Sequence, residues 1–169
     1  MTNGYFIFLS KMDRESQLFK ECLETLFLIN PKDWPREKIF YSLDVLKYDC
    51  LIYTDGKKLI GATAFNPDRK EGIAKSFLLF VSSDYRGKGI GKALFAEFLK
   101  WAFENGFKGA QLGLGNSPAG VAVSEVVKKE REKLGLTFAD INPATGKVIF
   151  NRSPERSEEG KRKTIFLCP

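Results

Sequence analysis

Phe77-Leu78-Leu79-Phe80-Val81-Ser82-Ser83-Asp84-Tyr85-Arg86-Gly87-Lys88-Gly89-Ile90-Gly91-Lys92-Ala93-Leu94 is the stretch from which the rest of the chain can be read. Its first five residues are apolar without a break, the pattern of a strand covered on both faces. Ser82 to Tyr85 is a polar turn. Gly87, Gly89 and Gly91 then alternate with Lys88 and Ile90 between Arg86 and Lys92, and a helix follows whose only charges are Lys92, Glu97, Lys100 and Glu104. A glycine-rich turn that feeds a helix start suits an anion, because bare backbone lets several N–H groups face one ligand and the helix dipole adds partial positive charge. A plain connection needs neither three glycines nor two flanking cations. The stretch points to a phosphorylated ligand.

Spacing tests two kinds of phosphate loop. A Walker loop needs glycine where Arg86 stands and a hydroxyl where Ala93 stands, so the Mg²⁺ ligand is missing. A dinucleotide G-x-G-x-x-G loop begun at Gly87 meets Lys92 at its third glycine, and begun at Gly89 it meets Leu94. What remains is Arg86-x-x-Gly89-x-Gly91 directly after an apolar strand. This resembles the Gln/Arg-x-x-Gly-x-Gly/Ala signature of the GNAT N-acyltransferase superfamily, and the likeness extends from the strand before the loop into the helix after it. Glu132-Lys133-Leu134-Gly135-Leu136 is similar to a second family phrase. The resemblance implies an α/β (α+β) GNAT fold: a central mixed, mostly antiparallel, twisted sheet flanked by about four helices. It also implies acetyl transfer from acetyl-CoA to an amine of a small molecule or protein by direct attack.

Composition is ordinary for a globular protein. At 169 residues, 43% apolar and 28% charged, the chain is most simply one domain, 1–169, with one sizeable core. The net charge of +6 suits a polyanionic partner such as coenzyme A, while the cations form no single stripe with interleaved aromatics of the kind nucleic acid calls for. No window approaches the roughly 18–20 apolar residues of a membrane helix, and the apolar run Tyr5 to Leu9 has no basic segment before it to make a signal peptide. Cys22, Cys50 and Cys168 are sparse and odd in number, which suits a reducing, cytoplasmic setting. Without histidine and without clustered cysteines, no metal site is expected.

Elsewhere the patterns read as follows. Tyr5–Leu9 is a strand. Asp13 caps a helix to Ile29 with Leu18, Cys22, Leu26 and Ile29 on its inner face, and Asp33 caps a second helix with Pro35 in its first turn. Cys50–Thr54 and Leu59–Phe65 are strands joined at Asp55-Gly56, and Ile73–Val81 runs into the glycine loop. Gly91–Glu104 is a helix closed by Asn105-Gly106. Strands at Ala110–Leu114, Leu136–Asp140, Lys147–Asn151 and Thr164–Leu167 complete the chain, with a helix at Ala119–Leu134 and a polar loop at Ser153–Lys163. Gly113 and Gly115 near a strand end mark close approach of a ligand or another backbone.

Carried over position by position, the resemblance assigns the backbone of Leu79, Phe80 and Val81 to the pantetheine arm, with an N–H near Phe80 or Val81 for the oxyanion. It assigns Arg86, Gly87, Lys88, Gly89, Ile90, Gly91 and Lys92 to the pyrophosphate, and Asn116 either to the CoA arm or to a turn. The acid–base groups depart from the family. Lys75, beside Ser76, stands where some members have a glutamate, and Arg131 stands where many have a tyrosine. Ser76 and Ser124 are the candidate catalytic residues in their place, and Ser117 and Ser124 also read as cap or surface residues. Trp34 lies in the wall where the family binds its acceptor, or packs at a helix start. The departures leave a second reading open, a non-catalytic acyl-CoA sensor of the same fold. The resemblance also leaves room for a homodimer, because late strands of such proteins often pair between subunits.

Overall fold

The computed structural model describes residues 4–29, 48–67, 72–112, 137–141, 148–150 and 164–167. The described strands are β1 (Tyr5–Phe8), β2 (Asp49–Thr54), β3 (Leu59–Asn66), β4 (Ile73–Val81), β5 (Gly109–Leu112), β6 (Thr137–Ile141), β7 (Val148–Phe150) and β8 (Thr164–Leu167). They form one sheet in the order β1-β2-β3-β4-β5-β8-β6-β7. Among the described pairings only β4 with β5 is parallel. A parallel pair needs a long crossover, and helix α2 (Ile90–Glu104) supplies it. The first helix, α1, spans Gln17–Ile29. The helices expected after Asp33 and at Ala119–Leu134, and the loop at 153–163, lie outside the described residues.

Two clusters cover the sheet. On one face α1 packs Phe19, Cys22, Leu23, Leu26 and Phe27 against Cys50, Ile52, Ala62, Ala64 and Leu78. On the other, α2 packs Ile90, Leu94, Phe95, Phe98, Leu99 and Ala102 against Leu51, Ile60, Phe65, Ala74 and Ala110. Cover on both faces explains why Cys50, Leu51 and Ile52 are consecutive and all buried. Rings concentrate on the α2 side: Phe65 lies 4.5 Å from Trp101 and 5.1 Å from Phe98, centroid to centroid. Gly61 permits this closeness. A methyl group there would come within 2.9 Å of Leu94 Cδ1 and 3.1 Å of the Phe80 carbonyl oxygen.

Some local expectations change. Asp13 does not cap α1: its carboxylate accepts from Glu15 N–H at 3.0 Å in the preceding turn. Ser16 takes the cap, with Oγ accepting from Phe19 N–H at 3.1 Å. The inner face of α1 runs through Phe19, Cys22, Leu23, Leu26 and Phe27, so Cys22 and Leu26 are buried as expected, while Leu18 is half-buried and Ile29 is exposed. The connection expected at Asp55-Gly56 is a longer turn, in which Asp55 Oδ1 accepts from Lys57 and Lys58 N–H and Thr54 Oγ1 donates to Lys58 O. The end of α2 is as expected. Gly106 adopts φ 80°, Phe107 N–H reaches back to Ala102 O, and Phe107 is buried.

Asp49, which the sequence pattern did not single out, ties β1 to β2. Its carboxylate accepts from Ser10 Oγ at 2.6 Å, Ser10 N–H at 3.1 Å and Cys50 N–H at 2.7 Å. Burial pushes the carboxyl above its ordinary range, against the pull of these donors and of Lys11. The folded chain thus holds this proton more tightly than the unfolded chain. The group's contribution to stability is full below about pH 3.9 and is lost as pH rises through the folded value. Urea unfolding of the wild type and of Asp49→Asn at pH 4 and pH 7 is expected to show the wild type's relative stability falling between the two pH values; an unchanged difference would contradict the assignment. On the other face, Phe98→Ala is expected to cost about 3–5 kcal/mol in the same measurement, because it opens a cavity among rings that cannot collapse into it.

Candidate functional site

The site begins with a bulge in β4. Phe65 stands opposite Ser76 and Ala64 opposite Leu78, so Phe77 is an extra residue on β4 with no counterpart on β3. Among the described residues the parallel ladder to β5 runs from Ile73 opposite Gly109 to Ser76 opposite Leu112, and the ladder to β3 continues to Gly61 opposite Val81. Bulges bend a strand and raise its twist.

Beyond the bulge the direction of each backbone group can be read. Ser82 N–H donates to Ile60 O at 2.9 Å, the Phe80 carbonyl lies against Gly61, and the Leu78 carbonyl accepts from Thr63 Oγ1. Residues 78, 80 and 82 therefore turn their N–H and C=O groups to β3. Alternate residues of a strand turn theirs the other way, so Leu79 and Val81 present theirs to the side away from β3. The Val81 carbonyl accepts from Arg86 Nε at 3.0 Å, as expected of a group outside the β3 ladder. Of the three strand residues assigned to an arm-like ligand, Leu79 and Val81 turn their backbone away from β3. Phe80 directs its backbone to β3 and its ring toward the α1 cluster.

The loop follows at the end of this edge. Ser83–Tyr85 is a 3-10 turn, closed by Arg86 N–H on Ser83 O. Gly87 and Gly89 have φ of 75° and 78°, and among the described residues a methyl group at either would meet nothing within 4 Å. Glycine is needed there for the backbone angle. The first helical bond runs from Ala93 N–H to Gly89 O at 3.0 Å, so the N–H groups of Ile90 and Gly91 precede the ladder. Gly89, at the N-cap, has no side chain to cap this start, and no acid occupies its first turn. Ile90 is buried in the α2 cluster and anchors the helix start, while Arg86, Gly87, Lys88 and Gly89 are exposed. Gly91 and Lys92 are half-buried.

The cations brace the loop as well as charge it. Lys88 Nζ donates to Asp84 O at 3.0 Å and lies 5.0 Å from the Tyr85 ring centroid. Lys58, from the turn between β2 and β3, lies 5.0 Å from the same ring. Tyr85 thereby joins that turn to the loop, a link that sequence spacing does not reveal. The sequence-derived candidate Ser76 is fully buried, with Oγ 3.0 Å from Thr63 Oγ1. Trp34, Asn116 and Ser124, with Gly113, Gly115, Ser117 and Arg131, lie outside the described residues.

This chain is similar to known proteins in sequence pattern and in fold. The acetyltransferase (GNAT) family model matches residues 16–119. No curated protein sequence matches the chain. Among solved structures, an acetyltransferase of the GNAT family from Staphylococcus aureus Mu50 is 16% identical with a TM-score of 0.59, over 96% of this chain and 97% of the other. An acetyltransferase from Streptococcus agalactiae 2603 is 16% identical with a TM-score of 0.59, over 99% of this chain and all of the other. The Bacillus subtilis acetyltransferase solved in complex with CoA is 16% identical with a TM-score of 0.55, over 98% of each chain. At these identities the likeness is one of fold.

The loop geometry makes a direct prediction. Gly89→Ala adds a methyl group to open space, so its cost is the left-handed backbone alone, about 1–2 kcal/mol. Denaturant unfolding is expected to return that loss; a neutral result would mean that the loop does not hold its positive φ.

Proposed function

The chain belongs to the GNAT acetyltransferase family and has the GNAT fold, and on that footing we propose that it is an N-acetyltransferase moving acetyl from acetyl-CoA to an amine. The observation that carries this reading is the continuity of two features: the backbone edge of Leu79 and Val81 that faces away from β3, and the glycine loop at the start of α2. The edge suits a pantetheine arm, whose amides can pair with strand backbone as an added strand. The N–H groups of Gly87 to Gly91 suit a pyrophosphate, and the net charge of +6 favours capture of a polyanion.

In the proposed reaction the amine nitrogen attacks the acetyl carbon, the C–S bond breaks, and the proton lost by the amine passes to the departing thiolate. An N–H of Leu79 or Val81 is the group placed to stabilise the oxyanion that forms on the way. The acceptor must first lose a proton. For a primary amine at pH 7 this accounts for about 4–5 kcal/mol of the barrier. Ser76 is buried and engaged with Thr63, so solvent carries that proton in this proposal. The acceptor is an amine of a small molecule or of a protein.

Calorimetric titration with acetyl-CoA tests the donor half. The wild type is expected to bind saturably. Gly89→Val is expected to bind at least about tenfold more weakly, since a β-branched side chain resists the left-handed backbone and fills the niche beside it. Thiol release over a panel of small amines, polyamines and peptides tests the transfer half. Binding without release across the panel would favour an acyl-CoA-binding module without catalysis, and no binding at millimolar acetyl-CoA would overturn the proposal.

A further inference from the structure

Two buried hydroxyls meet at the bulge of β4. Thr63 on β3 and Ser76 on β4 are both fully buried, with their oxygens 3.0 Å apart. Thr63 Oγ1 donates to the Leu78 carbonyl at 2.9 Å. A threonine hydroxyl has one proton to give, so Ser76 is the donor between the two hydroxyls; its Oγ also lies 3.5 Å from Leu78 O. The run Ser76 to Thr63 to Leu78 O begins on the residue before the extra Phe77, crosses to β3, and returns to the residue after it.

Such a brace matters because the apolar pattern specifies register weakly here. Phe77 to Val81 is apolar at every position, and the sheet is covered on both faces, with Leu78 in the α1 cluster and Leu79 against the α2 cluster. A strand with alternating polarity resists a one-residue slip because the slip would bury its polar face; a uniformly apolar strand meets no such penalty. Yet a slip that absorbed Phe77 into the ladder would turn the backbone of Leu79 and Val81 to β3 and that of Phe80 away from it. Buried hydroxyls are costly unless bonded, and in the slipped register this pair would lose its geometry.

We propose that the Thr63–Ser76 hydroxyl pair is a positioning device that holds the β4 bulge in register and so aims the Leu79 and Val81 backbone at the acyl-CoA arm, an inference that rests on the acyl-CoA reading above. It gives Ser76 a role distinct from the proton transfer that its sequence position suggests. Two probes separate the arm from the loop: acetyl-CoA, which carries the pantetheine arm, and 3′-phospho-ADP, which carries the pyrophosphate without it. Thr63→Val and Ser76→Ala are each expected to weaken acetyl-CoA binding by about tenfold, the scale of one buried hydrogen bond, while 3′-phospho-ADP binding holds. Thr63→Ser, which keeps the hydroxyl, is expected to restore acetyl-CoA affinity. If Thr63→Val does not fold, Ser76→Ala carries the same comparison. Folded variants that bind both probes as the wild type does, or that weaken both equally, would overturn the positioning role. A wild type that fails to bind acetyl-CoA would overturn the acyl-CoA reading and this role with it.

Discussion

The extra residue in β4 is the constraint on which the rest of the site depends. Phe77 has no counterpart on β3, and the backbone beyond it is turned by one step relative to a regular ladder. Among the described residues the parallel pairing with β5 reaches Ser76 and Leu112. From there to Val81, β4 pairs with β3 and turns the groups of Leu79 and Val81 the other way. The strand then delivers the chain, through a 3-10 turn, to the glycine loop and the start of α2. Backbone edge and helix start are thus consecutive parts of one path, and a ligand with an amide-bearing arm and a phosphate end would meet them in that order.

Double cover of the sheet is what makes this arrangement rigid. Beneath α2, Phe65, Phe98 and Trp101 stack around β3, and Ile90 and Leu94 rest close to Gly61. Because Ile90 is both the first residue of α2 and a core residue, the loop before it is anchored at its far end. Its near end is held by Arg86 on the Val81 carbonyl, and its middle by Lys88 on Asp84 O and on the Tyr85 ring. Side chains that brace a loop leave its N–H groups to do the binding, and a preorganised set of donors avoids the cost of ordering them when the ligand arrives.

Much of this was legible in the residues themselves. The five-residue apolar run meant a strand covered on both faces, and Leu78 and Leu79 do lie on opposite ones. The alternating glycines meant backbone free of side chains at a helix start, and Gly87 and Gly89 lie just before Ile90, the first residue of α2. Asn105-Gly106 meant a helix end, and Phe107 closes it. The errors were of one kind. Asp13 and Ser16 are both good caps by residue type, and the choice fell to the one whose oxygen reaches Phe19 N–H. Asp49 lies just before the strand expected at Cys50–Thr54 and Thr63 reads as an ordinary strand residue; neither stands out, because their partners, Ser10 and Ser76, are distant in sequence. Gly61 carried a usable signal, a glycine inside a strand, of the same sort that marked Gly113 and Gly115.

The sequence by itself determined the strand–loop–helix unit and its likeness to acyl-CoA enzymes, since these follow from the periodicities and residue types of neighbouring positions. Only the tertiary structure decided that β8 lies between β5 and β6, that Phe77 is the residue left out of the ladder, and that Leu79 and Val81 rather than Phe80 turn their backbone away from β3. These are matters of pairing between distant segments. Along a strand that is apolar at every position, nothing local distinguishes one register from the next; the hydrogen bonds of Thr63 and Ser76 across the bulge do.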